Sequence, residues 1–82
     1  MRYYLFAGRH HDEVGGMRDM QGEFPDLAFA KKRVADNRAT EYLGWEWAEI
    51  WLVTEDGLKP VCSCDNSDWD DKAPEWVSGV GR

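Results

Sequence analysis

Four side chains in this sequence have the chemistry of soft metal ligands or of nucleophile and base: His10, His11, Cys62 and Cys64. Zinc sites usually separate their cysteines by two to four residues. Cys62-Ser63-Cys64 is tighter than that, although strand alternation puts both sulfurs on one face. The spacing favours two partly buried thiols on a strand. A small metal-binding protein is kept as an alternative. Nucleophilic catalysis needs a Cys or Ser beside a base. Nothing in the spacing brings Cys62 or Cys64 to His10 or His11, and Ser63, Ser67 and Ser78 lie in no nucleophile elbow. No catalytic residue, no metal ligand and no cofactor is therefore assigned, and the chain is expected not to be an enzyme.

Two further patterns are weighed and set aside. Gly15-Gly16 could cradle an anion with backbone donors, but Asp12, Glu13 and Asp19 beside it repel anions. Asp65, Asn66, Asp68 and Asp70 have something of the spacing of a calcium loop. The glycine and terminal glutamate of the helix-loop-helix pattern are missing, so the segment reads as a solvated acidic tail.

Composition moves the search from catalysis to binding. The chain has 82 residues and a net charge of −6. A chain this short is one domain with a thin core, on which a deep cleft is hard to build. Aromatics make up 13%, and five of them are Trp, a residue type enriched in binding hot spots. The negative charge argues against nucleic acid or anionic membranes as direct partners. It suits a basic protein surface, such as one that normally holds nucleic acid. Residues 41–57 carry Glu41, Glu46, Glu49, Glu55 and Asp56 with no Lys or Arg. From Asp65 onward, Asp65, Asp68, Asp70, Asp71 and Glu75 stand against Lys72 and Arg82. Only 25–40 is clearly positive, with Lys31, Lys32, Arg33 and Arg38. No run approaches the roughly 20 apolar residues of a membrane span. The first strand-like run is too short for a secretory leader. A reduced, cytoplasmic setting is expected.

Periodicity sketches the elements that must position these groups. Residues 2–8 read as a strand with Tyr3, Leu5 and Ala7 on one face and Tyr4 and Phe6 on the other. A loop follows at 9–17, then a short strand at 18–24 weakened by Gly22. Asp26 is placed to cap a helix. Leu27, Ala30 and Val34 form its apolar stripe, with Phe29 flanking. Residues 46–54 form the strongest strand. Asp56-Gly57 reads as a two-residue hairpin loop, which sets Trp51 opposite Cys62, Val53 opposite Pro60 and Leu52 opposite Val61. The expected fold is α+β: a ββαββ domain over 1–64 with a small antiparallel sheet, one helix on one face, and an irregular acidic C-terminal tail at 65–82. One sheet face would then be aliphatic, with Ala48, Ile50, Leu52 and Val61. The other would carry Trp47, Glu49, Trp51, Val53, Cys62 and Cys64. A single helix covers one face only, so the second is open, used for binding, or sealed by Trp69 and Trp76 of the tail.

Tyr4-Leu5-Phe6-Ala7-Gly8, Gly15-Gly16-Met17-Arg18-Asp19 and Gln21-Gly22-Glu23-Phe24 before a helix resemble a group of very small proteins encoded by tailed bacteriophages. The likeness spans about residues 3–57. The cationic helix and the Trp-containing acidic tail depart from that pattern. Small acidic phage proteins as a class often act in host takeover or against host defences, including CRISPR. The resemblance thus implies an inhibitor, acting in the host cytoplasm, that binds a host protein or nucleoprotein complex. Trp47 and Trp51 would anchor it, with Glu46, Glu49, Glu55, Asp56, Asp68, Asp70 and Asp71 meeting a basic surface. The other expectation is a self-associating structural or assembly protein of a phage, a homodimer through its aromatic face.

Overall fold

Local chemistry decides where each element starts and stops. The computed structural model describes residues 2–8, 20–40, 45–65 and 75–79, with 38–40 described as backbone only. Strands β1 (Arg2–Gly8) and β2 (Met20–Phe24) precede one helix, α1 (Leu27–Thr40). Strands β3 (Trp47–Thr54), β4 (Gly57–Asp65) and β5 (Val77–Ser78) follow. Asp26 caps α1: its carboxylate accepts from the Phe29 N–H at 2.9 Å and its carbonyl from the Ala30 N–H at 3.3 Å. At the other end, buried Asn37 accepts the backbone N–H of Trp45 at 2.9 Å, tying the helix to the segment that enters β3.

The five strands form one antiparallel sheet in the order β2-β1-β3-β4-β5. The α+β class and the first four strands agree with the sequence pattern. The fifth strand does not: the expected irregular tail contributes β5, whose Val77 and Ser78 pair with Ser63 and Cys62. A bulge leaves Gln21 unpaired between Leu5↔Gly22 and Phe6↔Met20, and its amide donates to the Ala7 carbonyl at 2.8 Å. A Cβ at Gly22 would lie 3.1 Å from the Phe24 ring, which would have to give by a few tenths of an ångström to take it.

The β3–β4 register differs from the sequence expectation. Glu55 and Asp56 form the turn, and Thr54 pairs with Gly57. Gly57 has a φ of 123°, a backbone conformation that L side chains rarely adopt. The glycine therefore closes the turn instead of sitting inside a two-residue loop, and the Thr54 hydroxyl donates to its carbonyl at 2.8 Å. Trp51 now faces Pro60 and Val53 faces Leu58. A shift between Ile50 and Trp51 leaves Val61 as the extra residue and sets Ile50 opposite Cys62 and Ala48 opposite Cys64.

That bulge moves both thiols to the helix side. The core consists of Leu5, Ala7, Ala30, Val34, Ala48, Ile50, Cys62 and Cys64. Val61 also packs against it, as a bulge that turns two successive side chains to one side permits. Cys62 and Cys64, expected beside Trp47 and Trp51, are instead buried under α1 and form no disulfide.

The turn assignment yields a stability prediction. Space is open around the Cβ that Gly57→Ala would add, so the effect is purely conformational. The substitution is expected to cost about 1–2 kcal/mol, read as a lower urea midpoint at unchanged m-value. An unchanged midpoint would show that the turn does not hold this backbone.

Candidate functional site

The helix covers the face that carries Leu5, Ile50 and Cys62. Residues paired across β1 and β3 sort onto the other face: Tyr4 with Trp51, Phe6 with Glu49, and Gly8 with Trp47. Glu23, Ser63 and Asp65 join them through Tyr4, Glu49 and Trp47. This is the aromatic face read from the sequence, but its parts differ sharply in exposure.

Trp47, expected as an apolar anchor, is 2% exposed. Its indole lies along Gly8, whose added Cβ would sit 3.5 Å from the ring. Trp47 is therefore packed within the chain. Phe6 and Ser63 on the same face are also buried. The open part of the face is centred on Trp51, which is half-buried and donates its indole N–H to the Glu49 carboxylate at 3.1 Å. Tyr4, directly opposite Trp51, is half-buried and meets Phe6 edge-to-face at 6.4 Å. A large side chain pinned by such a hydrogen bond loses little rotamer freedom on binding.

The acidic residues are dispersed. Glu49, Glu23 and Asp65 lie on the open face, and Glu23 is paired with Arg2 at 3.2 Å. Glu46 stands just before β3, where its N–H donates to the Gly8 carbonyl at 2.8 Å. Glu55 and Asp56 are exposed at the turn, at the end of the sheet away from Trp47. Asp68, Asp70 and Asp71 lie outside the described residues, as do Gly15-Gly16, His10, His11 and Trp69. Trp76, expected to seal the aromatic face, instead packs against the core on the helix side, with Lys31 over its ring at 5.6 Å. Arg33 lies 4.9 Å over Trp45 in the same way. The two cations stand on either side of Lys32 in sequence and each lies over an indole, so part of the charge of α1 serves packing.

The sequence reading underrated two features. Tyr4 beside Trp51 needs the cross-strand register, which periodicity alone does not supply. Phe29 falls off the 27/30/34 stripe, and it is 55% exposed. With Phe24, Pro25, Lys32, Arg33 and Asp36 it lines an open groove of about 470 Å³ with nearly all-carbon walls. An off-stripe Phe among lysines was the available signal.

Among the described residues no group of three or more His, Cys, Asp or Glu is placed to hold a metal ion. No described helix is long and apolar enough to cross a membrane. Burial pushes the Cys62 thiol above its ordinary pKa, with Lys31 acting partly against it. An activated nucleophile needs the opposite shift. No protein-family model, no curated protein and no solved structure matches this chain.

Two predictions follow from these placements. Trp47→Ala is expected to cost about 3–5 kcal/mol, as for a buried aromatic, and Trp51→Ala distinctly less, both read by urea denaturation. Equal costs would contradict the split in exposure. For Cys62 the folded pKa lies above the unfolded one. Its contribution is then fully present below the unfolded pKa and lost as pH rises toward the folded one. The urea midpoint should fall on the alkaline side of neutrality, and Cys62→Ala should flatten that fall; an equal slope in the variant would contradict it.

Proposed function

We propose that this chain is a binding protein, not a catalyst, and that it engages a basic protein surface through the helix-free sheet face around Trp51. One observation carries the reading: the half-exposed Trp51 indole is held by Glu49 and stands beside Tyr4 on the face that α1 leaves uncovered. An oriented aromatic flanked by a carboxylate suits a contact with an Arg- or Lys-rich surface, where the ring supplies apolar area and the carboxylate pairs with the cation. Asp65 adds negative charge to the same face, where the Glu23 carboxylate is paired with Arg2. Trp47 supports this face from within.

A partner with a basic nucleic-acid-binding surface fits this chemistry. Occupying that surface would block it sterically. Together with the likeness to small phage proteins, this supports an inhibitor of a host nucleoprotein complex, of which a CRISPR effector is the sharpest instance. The site of action would be the bacterial cytoplasm.

Capture from bacterial lysate tests the surface. Wild type should retain a partner that Trp51→Ala and Glu49→Gln lose at unchanged circular dichroism, and binding should weaken with salt. Equal capture by all three would refute the assignment. For the CRISPR instance, expressing the chain in a CRISPR-immune host should restore plaques of the targeted phage, and Trp51→Ala should not. No restoration by wild type removes that instance.

A further inference from the structure

Resting on that binding reading, we propose what the uncovered face recognises: a short extended segment of the partner, with an arginine over Trp51 and Glu49 and, two residues away, an aliphatic side chain over Val53 and Leu58. Leu58 is 41% exposed, and the register sets it opposite Val53 on the same face as Trp51. The face is built in rows across the strands. Tyr4, Trp51 and Pro60 form one row. Arg2, Val53 and Leu58 form the next, two residues nearer the turn. Glu49 stands two residues the other way, between buried Phe6 and Ser63. Pro60, Arg2 and Leu58 are exposed, so the open part of the face runs from Trp51 toward the turn.

The charges around these rows favour a basic segment. Glu49 is the carboxylate at the indole. Glu55 and Asp56 stand exposed in the turn beyond Leu58, so the apolar step lies between acidic ones. Arg2, opposite Val53, is paired with Glu23 at 3.2 Å, and the two charges offset each other. Lys59 pairs with Leu52, on the helix side of the sheet.

Arginine fits the first step better than lysine. A guanidinium is planar and lies flat on an indole while its edge N–H groups still reach a carboxylate; an ammonium is a compact, strongly hydrated point charge. The chain has this stacking within itself, with Arg33 4.9 Å over Trp45. The Trp51 N–H holds the Glu49 carboxylate at the edge of the ring, at 3.1 Å, and a carboxylate has about four acceptor positions. Row spacing sets the second step. Two residues of strand advance about 7 Å, and two residues of an extended segment advance equally and keep their side chains on one face. An arginine and an aliphatic residue at i and i+2 therefore match Trp51 and the Val53–Leu58 pair.

Peptide titration of the full chain, followed by the Trp51 indole N–H in proton–nitrogen correlation spectra and assigned with Trp51→Phe, tests this. The probe is acetyl-Leu-Ala-Arg-Ala-Leu-amide, which has an aliphatic residue two positions to either side of its arginine. It is expected to move the Trp51 signal saturably in the millimolar range, as befits a contact of a few side chains. Lysine in place of arginine should weaken binding at least about threefold. Serine in place of both leucines should weaken it about fivefold. Glu49→Gln keeps an acceptor for the indole but removes the charge, so it should shrink the preference for arginine and leave that for leucine. Leu58→Ser should do the reverse, and matching thermal melts show that each variant folds. A Trp51 signal that no peptide moves overturns the proposal. So does equal binding of the arginine and lysine peptides, or either preference surviving undiminished in the variant meant to shrink it. A lysate partner lost with Trp51→Ala, beside peptides without these effects, upholds the binding reading and removes this one.

Discussion

A fourteen-residue helix can cover only one face of a five-stranded sheet. The placement of α1 over β1, β2 and β3 therefore sorts most of the large side chains among the described residues. Leu5, Ala48 and Ile50 take the covered side, where Ala30 is small enough to let the helix lie close. Trp47, Glu49 and Trp51 are left on the other. The bulge at Val61 completes the division, because it turns Cys62 and Cys64 inward and leaves Ser63 to pair with Glu49 across the uncovered face. The candidate site is the residue of this sorting. It is the part of the sheet that the only helix among the described residues cannot reach.

The indoles show how one residue type is put to different uses by position. Trp45 and Trp76 flank α1 and carry cations over their rings, which fastens the helix. Trp47 is buried at the start of β3. Trp51, four residues on and facing the same way, keeps part of its ring in solvent and directs its N–H to Glu49. A high Trp count is thus a weak guide to a binding surface in a small domain, because most of the described indoles serve the fold.

Much of this was legible in the sequence. Alternation in 2–8 and 46–54, the Asp26 cap and the Leu27/Ala30/Val34 stripe are short-range signals set by local geometry, and the structure has each of them. The misplaced features depend on distant parts of the chain. Asp56-Gly57 marks a turn, but which residues form it rests on where the positive φ falls, and one residue of difference moves every cross-strand partner. The bulge at Val61 answers to packing and leaves no local mark. The pairing of Val77 and Ser78 with β4 is too short to register as a strand by pattern. For the site, the alternation found the face, whereas the burial of Trp47 could not be read from it.

The account turns on Trp51 being the exposed, partner-facing indole and Trp47 the buried one. Fluorine NMR of protein labelled with 5-fluorotryptophan, assigned by single Trp→Phe variants and titrated with the captured partner, measures this directly. The account predicts that the Trp51 resonance shifts or broadens on binding while the Trp47 resonance stays in place. An unmoved Trp51 signal in a complex that has demonstrably formed would contradict it.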